Sequence, residues 1–394
     1  MSIKSFFMDN PMLKSRMLFV RRIGYSSILT VLRVCRVDKK KILFNNFDGK
    51  GYADNPKAVA EKVHELHPEY KLKWIISDDS DAESLPPYVK PVKLFSPAYF
   101  YDLATSSVWV FNVLSPRGLL KRKQQMYIQT HHGDRSAKNV YYMNIGKEAS
   151  DKKHVIYDEI CDYGTVGSKC GEKIFMDGIG FHGPLLQAGT PRDDCLVNPD
   201  KEKEAQIRKN LGVGEDTKLL LYAPTFRNGH KTLDCALDFD RILDKLEEKT
   251  GDQWLCLYRA HVHTKEIRFC GKTVEGDKYK NVSKYPDMAD LLLVSDLLVS
   301  DYSSSPGDFC LTGRPTILFL DENETYNRST FFDLNDSPHF IAKNQEEFED
   351  IIESLDQQKI DENNKAVMEF YGIYETGHAA ETVAGVIEQH IKSI

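Results

Sequence analysis

The sequence predicts two successive doubly wound α/β domains, and three observations carry that expectation. Short apolar runs alternate with helix-period stretches from residue 41 onward. A charged stretch at 198–214 interrupts the series, which then begins afresh. The polar motifs fall immediately after the apolar runs, where the carboxyl ends of parallel strands would present them. At 394 residues the chain is long enough to bury two separate cores.

In the first series, the runs at 42–47, 72–77, 108–113, 126–130 and 185–188 read as buried parallel strands, because they are nearly continuous in apolar residues and of strand length. A helix at 56–66 separates the first two. The helical stretch 201–211 precedes a fresh strand at 219–222, so a domain boundary is drawn at 205/206. The second series has strands at 219–222, 254–258, 297–300 and 316–320, with helices at 239–249, 288–294 and 345–355. The expected organisation is a segment 1–40, a first domain 41–205, a second domain 206–376 and a closing segment 377–394.

Apolar residues make up 41% of the chain and charged residues 28%, the profile of a globular protein rather than a disordered one. The eight cysteines are scattered without a C-x-x-C pair or a Cys/His zinc spacing, which fits reduced thiols in the cytoplasm. No apolar run reaches the roughly 18 residues that suggest a membrane span, and no signal-peptide pattern opens the chain. Net charge is −7, yet residues 1–41 hold ten Lys and Arg against Asp9 and Asp38, so a local +8 stands against −15 elsewhere. Leu13, Met17, Phe19, Val20, Ile23 and Ile28 interleave with Arg16, Arg21, Arg22 and Arg33, the composition of a basic amphipathic helix on an anionic membrane surface. A helix packed on its own domain is the alternative. Nothing else is basic enough to follow a nucleic-acid backbone, so no nucleic-acid partner is expected.

Asp301, Tyr302, Ser303, Ser304, Ser305, Pro306, Gly307 and Asp308 read as a strand end opening into a helix start, either a phosphate site or an ordinary capped helix. Thr225 and Arg227 follow one strand of the same domain, and Arg259 and His261 follow another; with the serine turn they could surround a diphosphate. His131, His132, Gly133 and Asp134 form the comparable cluster of the first domain, where an imidazole could take a proton from an attacking hydroxyl. Gly189 through Asp194 compose a turn in which Arg192 could pair with Asp193, Asp194 or an acceptor phosphate.

In order along the chain, His132-Gly133, Gly189-Thr190-Pro191-Arg192-Asp193, Tyr222-Ala223-Pro224-Thr225-Phe226-Arg227, Arg259-Ala260-His261, Asp301-Tyr302-Ser303-Ser304 and Asp308-Phe309 to Arg314-Pro315 resemble the CDP-glycerol glycerophosphotransferase family of teichoic acid synthesis. The resemblance runs from about residue 125 to the C-terminus, where Gly377-His378-Ala379-Ala380-Glu381 is similar to the family's closing helix start. It implies a GT-B architecture of two facing Rossmann-like domains, the first on the acceptor side and the second binding the CDP donor, with a last helix at 381–394 crossing back. It further implies CDP-glycerol or CDP-ribitol as donor, a lipid-linked teichoic acid or capsule acceptor, and work at the cytoplasmic face of the membrane as a peripheral protein. His132 is the implied base and His261 the implied group at the donor diphosphate. Arg227, Thr225, Arg259, Asp301, Ser303, Ser304 and Asp308 are expected around the donor, and His131, Asp134 and Arg192 on the acceptor side. Two departures stand out: Ala260 and Val262 replace family prolines, and His131, Asp134 and Arg135 alter the flanks of His132-Gly133.

No cofactor is expected. Asp301 and Asp308 could hold a divalent ion but are equally explained as a helix cap and a cytidine or ribose partner, so metal-independent chemistry is the expectation. The rival readings are a nucleotide-sugar glycosyltransferase on the same fold and a donor-binding homologue without catalysis.

Overall fold

Residues 11–225, 232–260, 264, 266–274, 276–323, 326 and 329–394 are described by the structure, a computed structural model. A helix, α1 (Pro11–Val31), leads into β1 (Asp38–Asn45), α2 (Asp54–Leu66), β2 (Lys71–Ile76), β3 (Val89–Lys93), α3 (Pro97–Thr105), β4 (Ser106–Phe111), β5 (Met126–Gln129), β6 (Tyr163–Thr165) and β7 (Leu185–Leu186). These strands form one sheet in the order β3-β2-β1-β4-β5-β6-β7, with parallel neighbours throughout. Alternate residues point to opposite faces. Ile42, Phe44, Trp74 and Val108 therefore join one core and Leu43, Ile75, Trp109 and Phe111 the other. Burial on both faces is what makes the sequence runs continuous.

The second unit contains α4 (Lys201–Leu211), β8 (Lys218–Ala223), β9 (Thr232–Cys235), α5 (Phe239–Thr250), β10 (Trp254–Tyr258), β11 (Glu266–Phe269), β12 (Lys272–Thr273), β13 (Tyr279–Asn281), α6 (Met288–Val294), β14 (Leu297–Ser300), α7 (Ser305–Phe309), β15 (Thr316–Phe319) and β16 (Phe340–Ala342). Its main sheet runs β13-β10-β8-β14-β15-β16, again all parallel, and β12-β11-β9 form a small separate sheet. After α8 (Gln345–Ser354) and α9 (Gln357–Tyr371), the chain returns to the first unit as α10 (Ala379–Ser393). Val383, Ala384 and Ile387 of α10 pack in the core that holds Val59 and Trp74. Asp194 caps its N-terminus, accepting from the Ala379 and Ala380 amides at 2.9 and 2.8 Å, where a carboxylate also meets the positive helix end.

Two details differ from the expected boundaries. Residue 205 falls inside α4, whose Ile207 and Leu211 share a core with Leu196 and Leu219, so that helix goes with the second sheet. The return to the first unit begins before 377, since the Lys169 amide donates to the Gly372 carbonyl and the Tyr374 amide to that of Gly167.

The N-terminal helix is docked on the first unit. Leu29 is buried in its core, Ser26 Oγ donates to the Gly118 carbonyl at 3.1 Å, and Arg21 Nη2 donates to that of Lys153 at 3.2 Å. Its outer face leaves Met17, Phe19, Val20, Ile23 and Ile28 exposed. Residues 1–10 of the basic segment lie outside the described residues. Among the described residues, no helix is long and apolar enough to cross a membrane.

Candidate active site

A parallel α/β sheet opens a crevice where its strand order reverses. That point lies between β1 and β4 in the first sheet and between β8 and β14 in the second. The loops after these strands, with the loop after β5, carry the candidate residues.

Asn112, just beyond β4, anchors the first wall. Its carbonyl oxygen lies 2.7 Å from His132 Nδ1. A carbonyl only accepts, so Nδ1 carries the hydrogen and Nε2 keeps a lone pair. The Asn112 side chain is itself fixed: Nδ2 donates to Asn46 Oδ1 at 2.7 Å and Asp54 Oδ1 at 3.0 Å, and Oδ1 accepts from the Phe47 amide at 3.0 Å. The Phe47 ring meets the His132 ring edge-on, with centroids 4.9 Å apart. Burial pushes the His132 pKa below the ordinary imidazole value; the Asp54 charge and the Asn112 carbonyl oppose that, and Arg192 and Lys138 reinforce it. The imidazole is therefore neutral near physiological pH, as a base must be.

His131 and Asp134 are packed behind this wall. His131 Nδ1 accepts from the Gly133 amide at 3.1 Å, and its ring stacks on His132 with centroids 4.8 Å apart. Asp134 accepts from Ser168 Oγ and from the Gly167 amide, and it is buried. Neither lines the cleft, because the loop's tight turn folds both inward.

The second wall is the serine turn with its neighbours. Asp301 accepts from the Thr225 amide at 2.9 Å and from Thr225 Oγ1 at 3.1 Å, tying the loop after β8 to the loop after β14. Ser303 Oγ accepts from Ser305 Oγ at 3.0 Å. Arg259 Nη1 donates to the Tyr285 carbonyl at 2.8 Å. Between the walls is a cavity of about 210 Å³ whose lining includes His132, Phe47, Arg192, Arg259, Ser303 and Ser304. Arg227 and His261 lie outside the described residues.

Asp308, expected at the donor, lines this cavity too, and both of its carboxylate oxygens are taken by arginines. Its Oδ1 accepts from Arg135 Nη1 at 2.6 Å and its Oδ2 from Arg192 Nη2 at 2.7 Å, so two first-unit arginines grip one second-unit carboxylate. Arg135, wholly buried, also donates to Asp193 at 2.8 Å and to Glu375. Arg192 Nη1 donates to Asp54 and to the His132 carbonyl, each at 2.9 Å. Arg192 thus braces the histidine loop as well as lining the cleft. A Cβ on Gly307 would come within 2.7 Å of Arg135 Cβ, so glycine there lets the arginine stem lie against α7. Among the described residues, no group of three or more His, Cys, Asp or Glu is placed to hold a metal ion.

Residues 27–389 match the sequence model of the CDP-glycerol:poly(glycerophosphate) glycerophosphotransferase family. The chain belongs to that family. Among curated relatives of this glycerophosphotransferase-family chain, a teichoic acid poly(glycerol phosphate) polymerase of Bacillus subtilis (strain 168) is 31% identical over 356 residues, covering 84% of this chain and 46% of that protein. One of Staphylococcus epidermidis (strain RP62A) is 28% identical over 386 residues, covering 90% of this chain and 51% of that protein. The chain thus spans about half the length of these relatives. A solved structure of the wall teichoic acid polymerase TagF superposes with a TM-score of 0.79 at 23% identity, covering 97% of this chain and 98% of that one. That likeness establishes the GT-B-type fold.

Sequence reading passed over Asp54, Asn112, Arg135 and Glu375. Arg135 did carry a signal: a charge in place of a family residue beside His132-Gly133. Asn112 carried none, because its decisive group is a backbone carbonyl.

Proposed function

We propose that this chain transfers glycerol phosphate, or ribitol phosphate, from a CDP-activated donor to the hydroxyl of a lipid-linked teichoic acid or capsule acceptor, releasing CMP. The observation that carries the reading is the fixed tautomer of His132, whose Nδ1 is held by Asn112 while the ring lines the cleft opposite Arg259 and the serine turn.

In this reading the acceptor oxygen attacks the phosphorus that bears the polyol, and the bond from that phosphorus to the bridging oxygen of CMP breaks. His132 Nε2 takes the acceptor proton. Negative charge grows on the departing CMP phosphate, where Arg259, the Ser303 and Ser304 hydroxyls and, by resemblance, Arg227 and His261 would meet it with donors fixed beforehand. Metal-independent chemistry is part of the proposal. It is supported by the engagement of both candidate carboxylates: Asp301 with Thr225, and Asp308 with two arginines.

Peripheral attachment to the cytoplasmic face of the membrane is supported by the exposed Met17, Phe19, Val20, Ile23 and Ile28 beside Arg16, Arg22 and Arg33. The family relatives' names support a teichoic acid acceptor.

Purified protein is incubated with CDP-glycerol or CDP-ribitol, with and without a lipid-linked glycerol-phosphate acceptor, and CMP is measured. Acceptor-dependent CMP from one donor is the expected result and names the polyol. No CMP from either donor would remove the polyol-phosphate reading.

A further inference from the structure

A second cavity, of about 250 Å³, opens between α1 and the carboxyl ends of β1 and β4; its lining includes Arg21, Asp48, Phe95, Tyr99, Ser115 and His154. Resting on the transferase reading, we infer that this cavity holds the polyol phosphodiester nearest the growing end of the acceptor, with Arg21 on a phosphate oxygen and Asp48 accepting from a polyol hydroxyl.

Three features point there. Among the described residues, Arg21 Nε is buried without a hydrogen-bond partner, and Nη2 donates to the Lys153 carbonyl. A partly buried guanidinium whose Nε is unpaired, on the rim of a cavity, lacks the bidentate acceptor that its fork matches, and a phosphodiester supplies one. The second feature is the wall shared with the active site. Phe47 lines the cleft beside His132, and Asp48, the next residue, lines this cavity. Both have left-handed backbone, with φ of 44° and 56°, a conformation that costs non-glycine residues on the order of 1 kcal/mol each. The Asn112 side chain and the Gly49 amide's bonds to Asn46 O and Asn45 Oδ1 hold that loop in place. The strained pair thus puts one residue in each cavity. The third feature is approach: Arg21 lies on α1, whose outer face carries the exposed apolar residues proposed to meet the membrane, so a lipid-anchored chain would pass this cavity before reaching His132.

Charge narrows the ligand class. One arginine and one carboxylate face each other with aromatic rims, Phe95 and Tyr99, and with His154, which burial holds neutral at a pKa of about 4. A ligand offering both an anionic phosphate and donating hydroxyls fits this set better than a bare phosphate or a neutral sugar.

The test has a binding arm and a turnover arm. Glycerophosphoglycerol binding is measured by saturation-transfer NMR with the donor cleft blocked by excess CDP. Wild type should bind, Arg21→Ala should weaken binding at least about tenfold, and Asp48→Asn, whose side chain tolerates the left-handed backbone, at least about threefold. CDP affinity and melting temperature should be unchanged in Asp48→Asn, which separates site loss from loosening of α1. Absence of probe binding by wild type, or unchanged binding by both variants, overturns the assignment. In the turnover arm, Arg21→Ala should raise the acceptor KM with the donor KM unchanged. Weakened probe binding with an unchanged acceptor KM would overturn the acceptor assignment and leave a membrane-lipid headgroup as the occupant. A wild type that binds the probe but releases no CMP defeats the transferase reading alone.

Discussion

His132 is selected over its neighbour His131 by what each ring nitrogen touches. His131 spends Nδ1 on the Gly133 amide, whereas His132 spends Nδ1 on a carbonyl and keeps Nε2 as an acceptor. His132→Ala should therefore lower CMP release by about a hundred- to ten-thousand-fold, the usual contribution of a general base, with CDP affinity within a few-fold. Steady-state rates with equilibrium CDP binding check this, and near-normal turnover would remove His132 from the mechanism. Asp54 gives a sharper test. Its negative charge favours the protonated imidazole and so raises a pKa that burial has lowered. Asp54→Asn removes that support, so the His132 pKa falls further. The acidic limb of the kcat/KM profile should then move to lower pH; a limb that stays put or moves upward contradicts the assignment. The histidines were legible in the sequence as a pair and the resemblance implied His132 as the base, but the Asn112 carbonyl that fixes its tautomer was not legible. Arg135 was hidden for another reason. Its partners Asp193, Asp308 and Glu375 stand 58, 173 and 240 positions away, so no local pattern could pair them.

At the scale of elements, legibility followed burial. Helices 201–211 and 288–294 were read with their observed bounds, and Asp200 and Asp287 cap their N-termini. Central strands were read from continuous apolar runs. β3 was missed because Lys90, Pro91 and Lys93 make it polar: among the described residues it pairs only with β2, and an edge strand tolerates both a proline and charges. β13 and β16 are likewise short edges of the second sheet. The N-terminal helix docks one face on the first unit through Leu29 and exposes Phe19 and Val20 on the other, at 61% and 68% of their surface. Replacing both exposed residues by glutamate removes insertable apolar area and adds charge repelled by anionic lipid. Co-sedimentation with phosphatidylglycerol vesicles should fall about tenfold or more at an unchanged melting temperature, and undiminished sedimentation would place the membrane contact elsewhere. In α7, Gly307→Ala forces a Cβ to within 2.7 Å of Arg135 Cβ. Overpacking of this kind costs about 1–3 kcal/mol, which urea unfolding would register; an unchanged midpoint would show that the stem gives way freely.

For the whole molecule, the grip of Arg135 and Arg192 on Asp308 sets the distance between the two chemical walls. Arg192 reaches from Asp308 to the His132 carbonyl, and Asp308 sits in the same short helix that begins at Ser305, beside the serine turn. His132 and the serine turn are thus joined by three side chains, all buried, without passing through either sheet. Arg135→Met keeps the bulk of the side chain but leaves Asp193, Asp308 and Glu375 facing one another with one cation fewer. Removing one partner from a buried ionic cluster costs about 3–5 kcal/mol, because the remaining charges stay desolvated. The sign of the pH dependence follows from the same picture. Burial already raises the Asp193 carboxyl above the ordinary range and Glu375 to about 7, against the pull of Arg135; without that pull both rise further, so the folded variant binds more protons than folded wild type and regains stability as pH falls. The stability gap to wild type should therefore be largest near pH 7 and narrow towards pH 5. Urea unfolding of both proteins at the two pH values checks it, and a gap that does not change with pH would mean that Arg135 acts through packing alone. Because the same cluster spaces the walls, the variant should also raise the donor KM at temperatures well below its melting point, which a purely stabilising cluster remote from the cleft would not do.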